Sequence, residues 1–314
     1  MMEKDEIQYK PVFEPFASQP WSQYAHGSGN SAPGRPKSVA GMPRIALALL
    51  RDNFTITTWL LMGASLQCAV VAIFGASLWV VALPVGVLAL RVLRALLQTA
   101  GALPNPQMEG VIRGRTMCHF PDDDGVHREG PSNRPLAVLL ISAKCNHPLG
   151  MLGPGFREAG DFFKQCVDWL EEDSHARGFL GMTQWLNAAD RTTNNELLSI
   201  GYFRSVEDIH ALAHHAVHRA PWKWWNESLK ELDHITLTHE IFSVEAGGWE
   251  NIFLNSKPTQ LGTAVVKGND GQWRSPLVYI PRSLGSSSKR MRRNQTEAEA
   301  RRQQETDAIT GDAY

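Results

Sequence analysis

Cysteine is scarce in this chain and never paired. Cys68, Cys118, Cys145 and Cys166 stand singly, with no CxxC and no histidine at zinc spacing, so all four read as free thiols. Neither sign of charge is in surplus, since 31 Lys and Arg face 32 Asp and Glu for a formal net charge of -1. A protein that neutralises phosphates needs concentrated positive charge, and only Lys289 to Arg293 is locally basic, so nucleic acid is not an expected partner. There is no GxGxxG and no Walker loop to signal a nucleotide cofactor. The start "MMEKDEIQYK" lacks the basic character of a secretory signal peptide, so a hydrophobic anchor downstream is expected to stay attached.

Another absence identifies that anchor. Between Asp52 and Arg91 there is no charged residue, and the run "TITTWLLMGASLQCAVVAIFGASLWVVALPVGVLAL" is dominated by Leu, Val, Ala and Ile. One crossing needs about 20 apolar residues, so the run predicts two short helices, at about 55–74 and 78–98, with "FGAS" at Phe74 to Ser77 as the turn. Arg35, Lys37, Arg44 and Arg51 precede it while Arg91, Arg94, Arg113 and Arg115 follow, so both flanks carry the cytoplasmic signature that a hairpin satisfies. A single long tilted helix is the competing arrangement. Cys68 is then lipid-facing or buried in the membrane.

This reading makes the chain an integral membrane protein, placed in the endoplasmic reticulum with a cytoplasmic catalytic domain. The sequons at Asn53, Asn226 and Asn294 then stay bare. The expected division is a disordered leader at 1–43, the anchor at 44–103, a linker at 104–130, a folded domain at 131–282 and a disordered tail at 283–314.

Within the domain, "PLAVLLISAKC" suits a buried strand, and "REAGDFFKQCVDWLEED" has the 3.6-residue pattern of an amphipathic helix. "GFLGMTQWLNAAD" and "ELLSIGYFRS" read as two further strands, Ser205 starts a second helix with Asp208 as capping partner, and "HITLTHEIFSV" reads as a fourth strand. Pro221 is expected to end or kink the second helix. Strand, helix, strand, strand, helix, strand is an α+β, ferredoxin-like (βαββαβ) order, whose sheet must cover its second face and for which a dimeric α/β barrel is the natural expectation.

The chemistry-bearing stretch is "IHALAHHAVHRAPWKWW", Ile209 to Trp225. On an unbroken helix His210, His214 and His218 form a ridge beside the apolar stripe. The i, i+4 spacing suits a metal, but no HExxH acid and no third ligand accompany it, so no metal is assigned. A solvated or partner-facing surface and a pocket wall remain open, with His218 and Trp222 the better pocket candidates. Trp222, Trp224 and Trp225 fit a hydrophobic plug, a belt at the membrane surface or a substrate lining. His239 shares a strand face with Ile235, Leu237 and Ile241, as a core histidine or a proton-transfer group, a task suited to imidazole near neutrality. Trp249 after a Gly-Gly break could close a pocket rim, and Asn195 sits where a turn residue or a pocket residue would.

The run "YFRSVEDIHALAHHAVHRAPWKWWNE", with "THEIFSVEAGGWENIFLN" and "PTQLGTAVV", resembles the fungal antibiotic-biosynthesis-monooxygenase family, in its membrane-anchored fumagillin-pathway type. The resemblance spans about Pro135 to Val266. It implies a homodimeric barrel and a monooxygenase acting on a lipophilic secondary-metabolite intermediate, such as a terpenoid or polyketide. Barrels of this type that oxidise phenols need no cofactor; in that scheme His218 or His239 is the base, and Trp222, Trp225, Asn195 or Trp249 contacts substrate. Two alternatives remain: a haem-dependent, aldoxime-dehydratase-like enzyme with His239 as axial ligand, and a non-catalytic membrane scaffold for pathway enzymes.

Overall fold

The computed structural model of the chain describes residues 7–20, 44–128 and 130–293, with 296–298, 301–302 and 304–305 of the tail. Most of the expected leader and the sequon at Asn294 lie outside the described residues. In chain order the elements are β1 (Lys10–Pro11), α1 (Arg44–Asp52), α2 (Ile56–Phe74), α3 (Leu78–Thr99), β2 (Ile112–Cys118), β3 (Leu136–Cys145), α4 (Phe156–Glu172), β4 (Phe179–Leu186), β5 (Leu197–Phe203), α5 (Val206–His214), α6 (Ala216–Glu227), β6 (Ile235–Val244), β7 (Phe253–Ser256), β8 (Val266–Lys267), β9 (Trp273–Arg274), β10 (Leu277–Tyr279) and α7 (Ser287–Arg290).

The helices α2 and α3 are each long and apolar enough to cross a membrane, and none of their residues is buried. Thr55 caps α2 by accepting the Thr58 N–H, and Gly75, with φ +76°, supplies the left-handed turn at the end of α2. The Gln67 amide donates to the Val80 carbonyl at 3.0 Å and ties the two helices together.

The domain is ferredoxin-like. Its antiparallel sheet has the order β4-β5-β3-β6, with β3 pairing β5 on one side and β6 on the other. On one face Ala137, Leu139, Phe179, Met182 and Phe203 pack under Cys166, Val167 and Leu170 of α4 and Ile209 and Leu212 of α5. Burying each large side chain contributes about 1.5–3 kcal/mol, so this layer holds the helices on the sheet.

A second four-stranded antiparallel sheet, β1-β10-β2-β7, is built from segments outside the ferredoxin-like unit. Residues 104–130, expected as a linker, supply its β2. The reason is visible in the core: Cys118 and Phe120 pack with Phe253, Leu261 and Leu277 against Leu136, Leu180 and Tyr202 on the helix-free face of the first sheet. The leader and tail expectations also give way at their ends. Tyr9 is buried beside Met117, Val278 and Leu284, and Arg290 of α7 is 6% exposed, with its guanidinium donating to the Leu284 and Gly285 carbonyls and paired with Glu250 at 2.7 Å.

Candidate functional site

The helix expected from Ser205 is two helices. Ser205 caps α5 by accepting the Asp208 N–H at 3.2 Å, but the break falls at His215, which has extended dihedrals of φ -74° and ψ 152°. His215 caps α6 instead: its Nδ1 accepts the Val217 N–H at 3.2 Å. Its ring stacks on Trp169 at 4.3 Å, and the Arg177 guanidinium lies 4.1 Å from the Trp169 ring centroid. Pro221, expected to mark the kink, lies inside α6. A proline there cannot donate to the carbonyl four residues back, Val217. The Cys166 thiol donates to that carbonyl at 3.6 Å, and burial raises the thiol pKa to about 11.

This break decides the site. α5 buries Ile209 and Leu212 on the sheet, whereas α6 buries no residue and leans on α4 through Trp224, whose ring is 5.3 Å from Phe162. The helix-side face of β6 is left uncovered. In register, Leu237 lies opposite Ala143, His239 opposite Ile141 and Ile241 opposite Leu139, so His239 shares the helix-side face with two apolar neighbours. His239 is exposed and makes no hydrogen bond among the described residues, so the core-histidine reading does not hold. What remains is an open strand face, apolar at Leu237 and Ile241, with the His239 imidazole between them.

The other sequence candidates are dispersed. His218 is half-buried, and its Nδ1 lies 3.2 Å from the Ala213 carbonyl across the break; no hydrogen bond or ring contact joins it to His239 among the described residues. His210 and His214 are exposed, and no cluster of three or more potential ligands gathers among the described residues. The helical ridge that aligned them with His218 does not exist beyond His215. Trp222 is exposed and Trp225 half-buried, stacked edge-on against Trp224 at 6.2 Å.

Two candidates have structural duties instead. Both side-chain ends of Asn195 are taken: its amide donates to the Asp52 carboxylate at 3.0 Å, and its oxygen accepts the Arg191 N–H at 2.7 Å. Trp249 is not on a pocket rim. Its indole N–H donates to the Arg134 carbonyl at 2.8 Å and its ring meets Phe120 edge-on, between the two sheets. Its neighbour Asn251 accepts the Cys118 N–H at 2.7 Å, so "WEN" is a knot joining the second sheet, the tail and the domain.

Sequence reasoning missed the clamp at the end of α1. Asp52 accepts the Asn195 N–H at 2.7 Å, and Asn53 donates to the Leu149 carbonyl at 3.3 Å while accepting the Met151 N–H at 2.8 Å. Asn53 was visible only as a sequon. A separate cavity of about 60 Å³, lined by Asp123, Arg134, Ser174, His175, Arg204 and Lys267 among others, lies at the opposite end of the sheet. It is far smaller than the roughly 300–1,000 Å³ of an organic-ligand site.

The family model described as Monooxygenase af470-like matches residues 136–261, which run from β3 through the knot. Monooxygenase af470 of Aspergillus fumigatus is 32% identical over 235 residues, covering 73% of this chain and 84% of that relative. Among solved structures, an aldoxime dehydratase in complex with butyraldoxime is 15% identical with a TM-score of 0.35, over 48% of this chain and 39% of that one. SnoaB, a cofactor-independent oxygenase from Streptomyces nogalater, is 13% identical with a TM-score of 0.22, over 34% of this chain and 90% of that one.

Proposed function

The chain belongs to the Monooxygenase af470-like family and is a monooxygenase, and from that premise we propose that it is anchored in a membrane and oxidises a lipophilic secondary-metabolite intermediate, a terpenoid or polyketide. One observation carries this reading: two apolar helices with no buried residue follow Asp52 and Asn53, which are hydrogen-bonded to the same domain whose exposed β6 face, assigned here as the floor of a substrate groove, carries Leu237, Ile241 and His239. A water-soluble substrate would need neither the anchor nor an apolar floor.

In this reading His239 removes the proton from an activated carbon acid or phenol held on the groove; the carbanion, or the ring carbon of the phenolate, gives its electrons to oxygen to form a C–OOH, which loses water to leave the carbonyl or quinone, so the substrate itself is the reductant. His218 lines the approach at the helix break, and Trp222 and Trp225 supply apolar contact area on α6. Asn195 and Trp249 are assigned no contact with substrate. Hairpin topology with the domain on the cytoplasmic side of the endoplasmic reticulum fits the arginines that flank both ends of the apolar run.

The helix-free face of the sheet supports a homodimer. Val138, Leu140, Leu198 and Ile200 remain only half-buried there, and Trp185 and Phe242 are exposed on the same face. A second copy packed sheet to sheet would cover them. Metabolite comparison between a deletion strain and its parent tests the function: one lipophilic intermediate should accumulate and its oxygenated product vanish. Unchanged metabolites would refute it, and a Soret band on detergent-purified protein would replace the cofactor-free scheme with a haem-dependent one.

A further inference from the structure

We infer that the loop from His147 to Gly155, with the surface of α6 and the 228–234 loop beside it, lies on the bilayer surface and forms the edge through which substrate leaves the lipid for the groove. The inference rests on the proposed membrane anchoring and assigns it a second, non-spanning contact.

The position of the loop follows from the clamp. Asn53 holds the Leu149 carbonyl and the Met151 N–H, and α2 begins at Ile56, three residues on. Three residues reach at most about 10 Å even when extended, about the depth to which surface helices bury an apolar face. Leu149 is 57% exposed and Leu152 is 59% exposed, although neither leucine is needed to cover any part of the domain core.

The apolar surface continues away from the clamp. Gly155, with φ +75°, lets the chain turn close under Leu232 and Trp224: a Cβ there would lie 2.3 Å from Leu232 and 3.7 Å from Trp224. The His234 ring contacts His147, and its Nε2 lies 2.9 Å from the Pro154 carbonyl, which fixes the 228–234 loop on the same end of the domain. From these segments Leu229 and Trp222 project into solvent at 53% and 63% exposure. The end of the sheet shared by Cys145 and Ile235 lies here, and Leu237, the first groove residue, is two positions on.

Charge does not choose the occupant, because Arg157 and Lys223 are each matched by an acid one helical turn away, Asp161 and Glu227. Proximity does. Exposed Leu and Trp fixed within reach of two apolar helices meet lipid before any other partner, and indole favours the headgroup level.

The test uses the full chain in phosphatidylcholine vesicles containing nitroxide-labelled lipid. Native Cys68, on α2 and the one exposed thiol among the four, carries a fluorophore as the anchoring control. In a Cys68→Ala background the label is placed at Leu152→Cys, at Trp222→Cys, or at Val126→Cys on the exposed loop beyond β2 at the opposite end of the domain. Quenching at positions 152 and 222 should exceed that at 126 several-fold, with nitroxide near the headgroup more effective than nitroxide deep in the chain. If 152 and 222 are quenched no more than 126 while Cys68 is quenched, the surface contact is wrong and the anchoring stands. An unquenched Cys68 would overturn both.

Discussion

The two ends of the ferredoxin-like sheet are built to opposite specifications. At the Leu136 and Phe203 end, those two residues are buried on opposite faces: α4 and α5 lie on one, and the second sheet lies on the other, tied down by Trp249, Glu250 and Asn251. At the Cys145 and Ile235 end, α6 turns off the sheet at His215 and some contacts reach out to α1, while the edge strand β6 stands exposed from Leu237 to Ser243. The closed end carries stability; the open end is free to carry binding and chemistry. Mutations should separate the two.

The largest stability effect belongs to the closed end. Trp249→Ala removes a large ring from between the sheets and its hydrogen bond to Arg134, and should cost about 3–5 kcal/mol in denaturant unfolding. At the open end Asp52→Ala removes the half-exposed carboxylate that accepts two Asn195 donors, and because solvent screens that carboxylate the pair together should be worth about 1.5–3 kcal/mol. Hydrogen exchange at the 187–195 hairpin should speed up accordingly while the β3 amides stay protected. Equal acceleration in both places would mean that the two ends are one cooperative unit.

His215→Ala should cost about 1 kcal/mol, the value of a helix cap, and should also loosen Trp169, which is readable as a change in tryptophan fluorescence.

The smallest effect is one of pH, at the closed end. Burial lowers the pKa of His127, whose Nδ1 lies 3.1 Å from that of buried His119, with Tyr9 stacked on His119. Protonation is thus disfavoured in the folded state. The contribution is full above the ordinary histidine value of 6.5 and is lost as pH falls below it. The melting temperature should fall as pH drops below 6.5, and His127→Gln should flatten that slope; a slope unchanged in the variant would assign it elsewhere.

How legible each end was follows from where its contacts come from. The four strands and α4 were readable because each carries its own periodicity, and the membrane helices because uncharged length is a local property. The second sheet was not readable: β1 and β10 are two and three residues long and pair across more than half the chain, with no alternation to detect. The break at His215 was missed because histidine is an unusual N-cap and Pro221 advertised a stronger one. Trp249 and Asn195 looked like site residues because tryptophan and asparagine serve structure and binding alike, and only their partners distinguish the uses. His239 was placed on the right face by alternation, but its exposure depends on α6 turning away, which no local pattern records.

The most direct test is His239→Ala in the deletion background. His239 is exposed, so the variant should keep its melting temperature, a surface change being worth within about 0.5 kcal/mol. Product formation, measured against the wild-type gene restored at equal protein level, should fall about 10²- to 10⁴-fold as expected for loss of a general base, with the lipophilic intermediate accumulating. A folded variant that restores full product would contradict placing the chemistry on the exposed face of β6.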